Sequence, residues 1–375
     1  MSGALAAVKV TPVRPLSAAP HLGFPMRIPT GGDVPCARRV STKESLVNRH
    51  RNPPPAGRRV RAFGAALVTL VVTALLGPAS TASAAGEPSL NTPAATLDAA
   101  LHCPSSFTHP DHEPVLLVHG FSSTYDESWG FGYVPALRDA GYDVCGVDLP
   151  GRAMGDIQDS TEYVVHAIDK INSATGRKVD VVGHSEGTLA ERWAVKWWPH
   201  LQNEVDDMVT VAGPAHGISG GNLLCVLPCV PALSQFSIAS KFIGALNGGD
   251  ETPGPISYTN VYSVTDEAIT PFTTAPIDGA KNVAVQSVCP GRVVAHFQFL
   301  YDALTYRLVV DALSHSGAAD PDRLPSGKCL EVNLPGVSAG DATAATAVVV
   351  ANFNAALLTS PVTWAEPPLR SYAAS

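Results

Sequence analysis

Five residues, Gly183-His184-Ser185-Glu186-Gly187, lie between a β-branched run, VDVV at 179–182, and a helix-like stretch, TLAERWAVKWW at 188–198. A strand that runs through a sharp turn straight into a helix constrains the fold strongly. The helix must pack back across the sheet, and the next strand then enters parallel to the first. The turn forces its central residue into a strained backbone conformation, and flanking glycines remove the Cβ atoms that would clash with neighbouring elements. The residue so displayed is Ser185, at the positive end of the helix that follows.

The rest of the body repeats the same alternation. Short apolar runs at 115–118 (VLLV), 144–147 (VCGV), 208–211 (MVTV), 261–264 (VYSV) and 283–288 (VAVQSV) read as further strands. Helical patterns fall at 162–173, 188–198 and 299–314, with a last apolar helix at 342–358. This order predicts the α/β class: a mostly parallel central sheet with helices on both faces and reactive groups beyond the carboxyl ends of the strands. The 375 residues suffice for one large domain or two. Segment 86–113 is expected to wrap the domain edge, and 218–252, rich in Gly and Pro with weak periodicity, reads as an insertion.

The first 84 residues differ from the body. Of the 25 Lys and Arg, 11 fall in 1–84 with only two acids, Asp33 and Glu44. That leaves 14 bases against 31 acids in the remainder, a formal −17. So acidic a body lacks the basic face that phosphate backbones require, which disfavours nucleic-acid binding. Arg58, Arg59 and Arg61 precede an uncharged run at 62–77 and then the small-residue stretch PASTASAA. Basic flank, short apolar core and small-residue site make a secretory signal at 58–84, cleaved near Ser83-Ala84-Ala85. A membrane anchor is the alternative, but a span needs about 20 apolar residues, so no stable membrane insertion is expected after cleavage. Residues 1–57 read as a disordered or untranslated leader, and 85–375 as a single domain. Export implies an oxidising compartment and a secreted, extracellular protein. Without Cys36, six cysteines remain at 103, 145, 225, 229, 289 and 329, an even number that suits three bridges of open pairing. Cys225 and Cys229 lack a His–Cys pair at finger spacing, so no metal site is expected.

A serine hydroxyl is a weak nucleophile and needs a base. On sheets with this turn the partners follow in the order serine, acid, histidine. After Ser185 come His200, His216, His296 and His315. His200 ends the helix that Ser185 opens, His216 comes too early, and His315 closes a helix. His296 follows the last strand, where a loop can present it, and is the expected base. Asp266, just after 261–264, is the expected acid, which would hold the imidazole tautomer. Glu267 is its competitor, while Asp148 and Asp302 break the order. Two backbone N–H groups would stabilise an oxyanion: that of Glu186 and that of Phe121, in the turn His119-Gly120-Phe121 after VLLV.

These residues, with the stretches PVLLVHG, TEYVVHAI, LAERWAVKWWP, TNVYSVTDEAITP and KNVAVQSVCPGRVVAHFQF, resemble the α/β-hydrolase lipases of the Candida antarctica lipase B type, a secreted triacylglycerol lipase family. The likeness runs from about Cys103 to Cys329. It implies an α/β-hydrolase fold and a serine ester hydrolase acting on triacylglycerols and other carboxylic esters without a cofactor or metal. It supports Ser185, Asp266 and His296 as the triad, and Phe121 and Glu186 as oxyanion donors. It also implies the bridges Cys103–Cys145 and Cys289–Cys329. The family has a Thr where Phe121 stands, and Trp-Ser-Gln where this chain has His184-Ser185-Glu186, which puts a carboxyl group beside the nucleophile. Cys225 and Cys229 have no counterpart, and a third, local bridge is inferred there.

The expected partner is a lipid or ester substrate, met at an oil–water interface by a monomer. Leu223, Leu224, Val226, Leu227, Val230, Leu233, Phe236 and Ile238 make 221–242 a mobile lid, an acyl-pocket wall or, equally, a buried core segment. Trp193, Trp197 and Trp198 on the 188–198 helix are expected to pack against the sheet rather than hold a ligand. The rival readings are a short-chain esterase, a polyester hydrolase or an acyltransferase on the same triad. A peptidase or a non-catalytic binding protein of the same fold is further away.

Overall fold

A computed structural model describes residues 86–220, Cys225 and 227–374. The leader and signal, as well as residues 221–224 and Val226 of the lid candidate, lie outside the described residues. Among the described residues seven strands form one sheet, in the order β1-β3-β2-β4-β5-β6-β7. They are β1 (Leu101–His102), β2 (Val115–Val118), β3 (Val144–Val147), β4 (Val179–His184), β5 (Val205–Val211), β6 (Ser257–Tyr262) and β7 (Lys281–Ala284). Only β1 is antiparallel, pairing with the edge of β3; all other pairs are parallel.

Pleating divides the strand residues between two cores. Leu116, Val118, Cys145, Val147, Val179, Val181 and Met208 pack under α1 (Ala94–Ala100), α3 (Ile157–Thr175) and α4 (Glu186–Trp197). Val115, Leu117, Val144, Val182, Val209, Val211, Val261 and Val283 face α2 (Tyr133–Asp139) and a helix at Ala303–Leu313 on the other side. Nearly continuous burial of β2 to β5 is what a parallel sheet covered on both faces demands.

Several boundaries differ from the sequence reading. The strand expected at 261–264 is Ser257–Tyr262, because Ser263 Oγ accepts the N–H of Thr265 at 3.1 Å and turns the chain before Val264 can pair. The strand expected at 283–288 ends at Ala284. Val285–Val288 is a helical turn, and Cys289 N–H closes it on the Val285 carbonyl at 2.9 Å. The single helix expected at 299–314 is a 3₁₀ turn, His296–Leu300, followed by Ala303–Leu313. Asp302 separates them as an N-cap, its Oδ1 accepting from Thr305 N–H at 2.8 Å.

Within 218–252 the described residues form α5 (Pro231–Gln235) and α6 (Lys241–Asn247), and Phe236, Phe242, Ile243 and Leu246 join the core. Trp193 is fully buried and stacks on Phe242 at 4.3 Å between ring centroids. With α7 (Ala303–Leu313) numbered in order, the last helix is α8 (Ala339–Thr359), opened by a capping box between Ser338 and Asp341. Among the described residues α8 alone is long and apolar enough to cross a bilayer. Its Ala342, Val349 and Ala356 are buried against the body. Three disulfides join Cys103 to Cys145, Cys225 to Cys229 and Cys289 to Cys329.

Candidate active site

β4 delivers Ser185 at φ 54°, ψ −121°, a left-handed conformation for a residue bearing a side chain. Two glycines allow the turn to sit where it does. A Cβ on Gly187 would lie 2.5 Å from the Val118 carbonyl oxygen, and one on Gly120 would lie 2.8 Å from the Ser185 Cβ. The loop after β2 therefore passes against the serine itself, with Phe121 next in the chain.

The carboxyl ends of β6 and β7 supply the partners. Ser185 Oγ donates to His296 Nε2 at 2.8 Å. His296 Nδ1 donates to Asp266 at 3.1 Å (Oδ1) and 3.0 Å (Oδ2), which fixes the tautomer. Asp266 also accepts the N–H groups of Ala268 at 2.9 Å and Ile269 at 3.1 Å. Burial opposes ionisation of Asp266, but the His296 imidazole and these N–H donors outweigh it and hold the carboxyl below its ordinary range.

Glu267, the competing acid, is exposed and accepts the backbone N–H of His296 at 3.0 Å instead of reaching the ring. The other histidines are occupied elsewhere. His200 lies between Glu87 and Asp169, His216 pairs with Glu251, and His315 with Asp311. Asp148 pairs with His102, and Asp302 with Arg292.

Sequence reasoning missed how His184 is used. Its Nε2 donates to the His296 carbonyl at 3.2 Å, its ring lies 5.0 Å from the His296 ring, and burial with His296 nearby pulls its pKa down to about 3. It is thus a neutral brace. No local signal marks it, because the partner is 112 residues away. His119 is also neutral, pulled down to about 4 by burial; its Nδ1 donates to the Gly120 carbonyl at 2.8 Å and its Nε2 accepts Leu149 N–H at 2.9 Å.

Ser185 and His296 open into a cavity of about 390 Å³ walled by Phe121, Ile218, Leu233, Phe236, Leu300 and Phe353. A mostly apolar cavity that ends at a hydroxyl, an imidazole and a turn of backbone can bury an acyl chain and present its carbonyl carbon to the serine.

Comparison with known proteins fits this geometry. Residues 112–289 match the family model described as Lipase (class 2). The chain is 29% identical to lipase B of Pseudozyma antarctica over 297 residues, spanning 76% of this chain and 86% of the relative. The crystal structure of Aspergillus fumigatus lipase B superposes with a TM-score of 0.73 at 31% identity, covering 77% of this chain and 74% of that one. The chain belongs to the lipase B family. It is a carboxylic ester hydrolase built on the α/β-hydrolase fold. In this lipase the family-model match at 112–289 takes in the elbow and Asp266.

Proposed function

We propose that this lipase is secreted and hydrolyses triacylglycerols and other carboxylic esters through an acyl-enzyme on Ser185. The observation that carries the reading is the unbroken hydrogen-bond line from Ser185 through His296 to Asp266 at the floor of an apolar cavity. His296 takes the Ser185 proton as Oγ attacks the ester carbonyl carbon. The carbonyl oxygen gains the negative charge and is stabilised by the N–H groups of Phe121 and Glu186, loss of either costing about 3–4 kcal/mol. The intermediate collapses, the C–O bond breaks, and His296 hands its proton to the departing alcohol. Water, deprotonated by His296, then releases the acid and restores Ser185. Asp266 stabilises the imidazolium at each stage.

Secretion is supported by the signal-like segment at 58–84 and by the pairing of all six cysteines that follow it. Work at an oil–water interface is supported by α8. Phe353 lines the cavity, while Val348 and Leu358 on the same helix, and Trp364 just beyond it, stand 51%, 87% and 84% exposed. A monomer suffices, since each proposed group comes from this one chain.

Ser185→Ala is expected to abolish ester turnover, and labelling by a serine-directed phosphonate, with an unchanged melting curve. Retained turnover would reject the assignment. Triolein and tributyrin hydrolysed by the secreted form, with and without emulsification, separate a lipase from a short-chain esterase.

A further inference from the structure

The loop that carries Phe121 is held from outside by one arginine. Ser122, the next residue, has a left-handed backbone at φ 62°, and both of its main-chain groups go to the same partner. Ser122 N–H donates to the Arg152 carbonyl at 2.8 Å, and Arg152 Nη2 donates to the Ser122 carbonyl at 2.9 Å. The same Nη2 pairs with Glu127, whose Oε1 accepts Asn352 Nδ2 of α8 at 2.7 Å. Arg152 stands at φ 60° between Gly151 and Ala153, both at φ 57°. Successive left-handed residues are unfavourable when they bear side chains. Here that conformation turns the carbonyl and the guanidinium of one residue toward one loop.

A second contact follows the same route. Phe353, beside Asn352 on α8, meets the Phe121 ring edge-on at 5.7 Å between centroids. The oxyanion loop and the helix that walls the cavity are thus joined twice, once through Arg152 and Glu127 and once ring to ring.

We infer that Arg152 is a positioning residue for the oxyanion loop: its carbonyl holds the Phe121–Ser122 peptide, and its guanidinium holds the Ser122–Ser123 peptide and, through Glu127 and Asn352, ties it to α8. The inference rests on the proposed role of the Phe121 N–H. A guanidinium suits the task because it reaches a carbonyl and a carboxylate together in a fixed plane, which an ammonium cannot reproduce. Loosening the loop displaces a donor rather than removing it. The loss should therefore fall on the transition state and leave ground-state binding alone.

The test uses the secreted enzyme on a water-soluble butyrate ester, with an alkylboronic acid as a probe that forms a tetrahedral adduct on the serine. Arg152→Ala should lower kcat about tenfold, below the ~10²-fold or more that losing a donor outright costs, and leave KM within about twofold. Boronic acid affinity should fall by about the same factor as kcat, and Arg152→Lys should recover part of both. A merely structural arginine would lower the melting temperature without this parallel between kcat and boronate affinity. If Arg152→Ala does not fold, Arg152→Lys and Glu127→Gln carry the same comparison. A folded variant with kcat within twofold of wild type, or with boronate affinity unchanged, overturns the inference. If the wild-type enzyme binds no boronic acid, or Ser185→Ala stays active, the triad reading fails instead, so the two failures are separable.

Discussion

Two regions flank Ser185, and they treat their buried carboxyl groups in opposite ways. In the loops after β6 and β7, polar side chains are partnered. Asp266 has three donors, Thr265 Oγ1 exchanges hydrogen bonds with Val294, Gln286 Nε2 reaches Ser263 and Arg292, and Gln298 Oε1 takes Ala295 N–H. In α4, Glu186 and Glu191 are wholly buried and neither carboxyl has a hydrogen-bond partner. Burial pushes both well above the ordinary carboxylate range, which favours the neutral acid, whereas the donors around Asp266, also buried, hold it below that range and favour the anion. Partners, not depth, set the charge. The consequence for the proposed chemistry is direct. An ionised Glu186, next in the chain to the nucleophile, would oppose a developing oxyanion, because like charges repel strongly where water is excluded. Kept neutral, it leaves Asp266 as the anion the imidazolium faces.

The strongest way to break this contrast is to neutralise the carboxylate in the loops. Asp266→Asn should reduce kcat by about 10⁴-fold, because the amide no longer fixes the imidazole tautomer or stabilises its charge. Steady-state kinetics on a soluble ester measures it; a loss of less than tenfold would mean that another group carries this role. The same variant has a signature in stability. The Asp266 carboxyl lies below its ordinary value of 3.8 in the folded chain, so its contribution is present above about pH 4 and fades as the pH falls through the folded value. Melting curves of Asp266→Asn should therefore lack part of the acid destabilisation seen in wild type between about pH 4 and pH 2.

Glu186→Gln tests the other region and should act in the opposite pH direction. An acid whose folded pKa is raised favours the native state fully below the unfolded pKa, and that advantage is lost as the pH rises toward the folded value. Wild type should thus lose stability from about pH 4.5 upward relative to Glu186→Gln. The difference should be near zero at about pH 4 and grow as the pH rises above about 4.5. Activity at neutral pH should stay within about threefold, since the backbone N–H is retained and one uncharged side chain replaces another. A variant that melts below wild type at every pH would show that the carboxyl has a use that burial alone does not reveal.

How much of this could be read from the sequence follows the range of the interactions. The elbow, β2 and β3 depend on local chemistry, such as glycine spacing and β-branched runs, and were legible. The boundaries of β6 and β7 were not. Val264 and Val285–Val288 look like strand by composition, but the side chain of Ser263 and a helical turn before Cys289 decide otherwise. His184 and Arg152 were invisible as supports, because what they brace lies 112 and 30 residues away. The apolar run in 221–242 was read as lid, acyl-pocket wall or core. Among its described residues Leu233 and Phe236 serve the cavity wall, and Phe242 is core.

The smallest effect sharpens the contrast within the loops themselves. Asp266 and Glu267 are adjacent in sequence, and from composition alone either could serve His296. They divide the residue between them, Asp266 on the ring and Glu267 on the main chain, where its Oε2 takes the His296 N–H at 3.0 Å. That bond needs an acceptor oxygen and no charge, and it is only part-buried. Glu267→Gln should therefore be close to wild type. Glu267→Ala should lose about 2–10-fold in kcat, matching the roughly 0.5–1.5 kcal/mol of one hydrogen bond. The ratio between the Ala and Gln variants is the informative number. If Glu267→Ala approached the loss seen in Asp266→Asn, the division would be wrong and the pair would share the imidazolium.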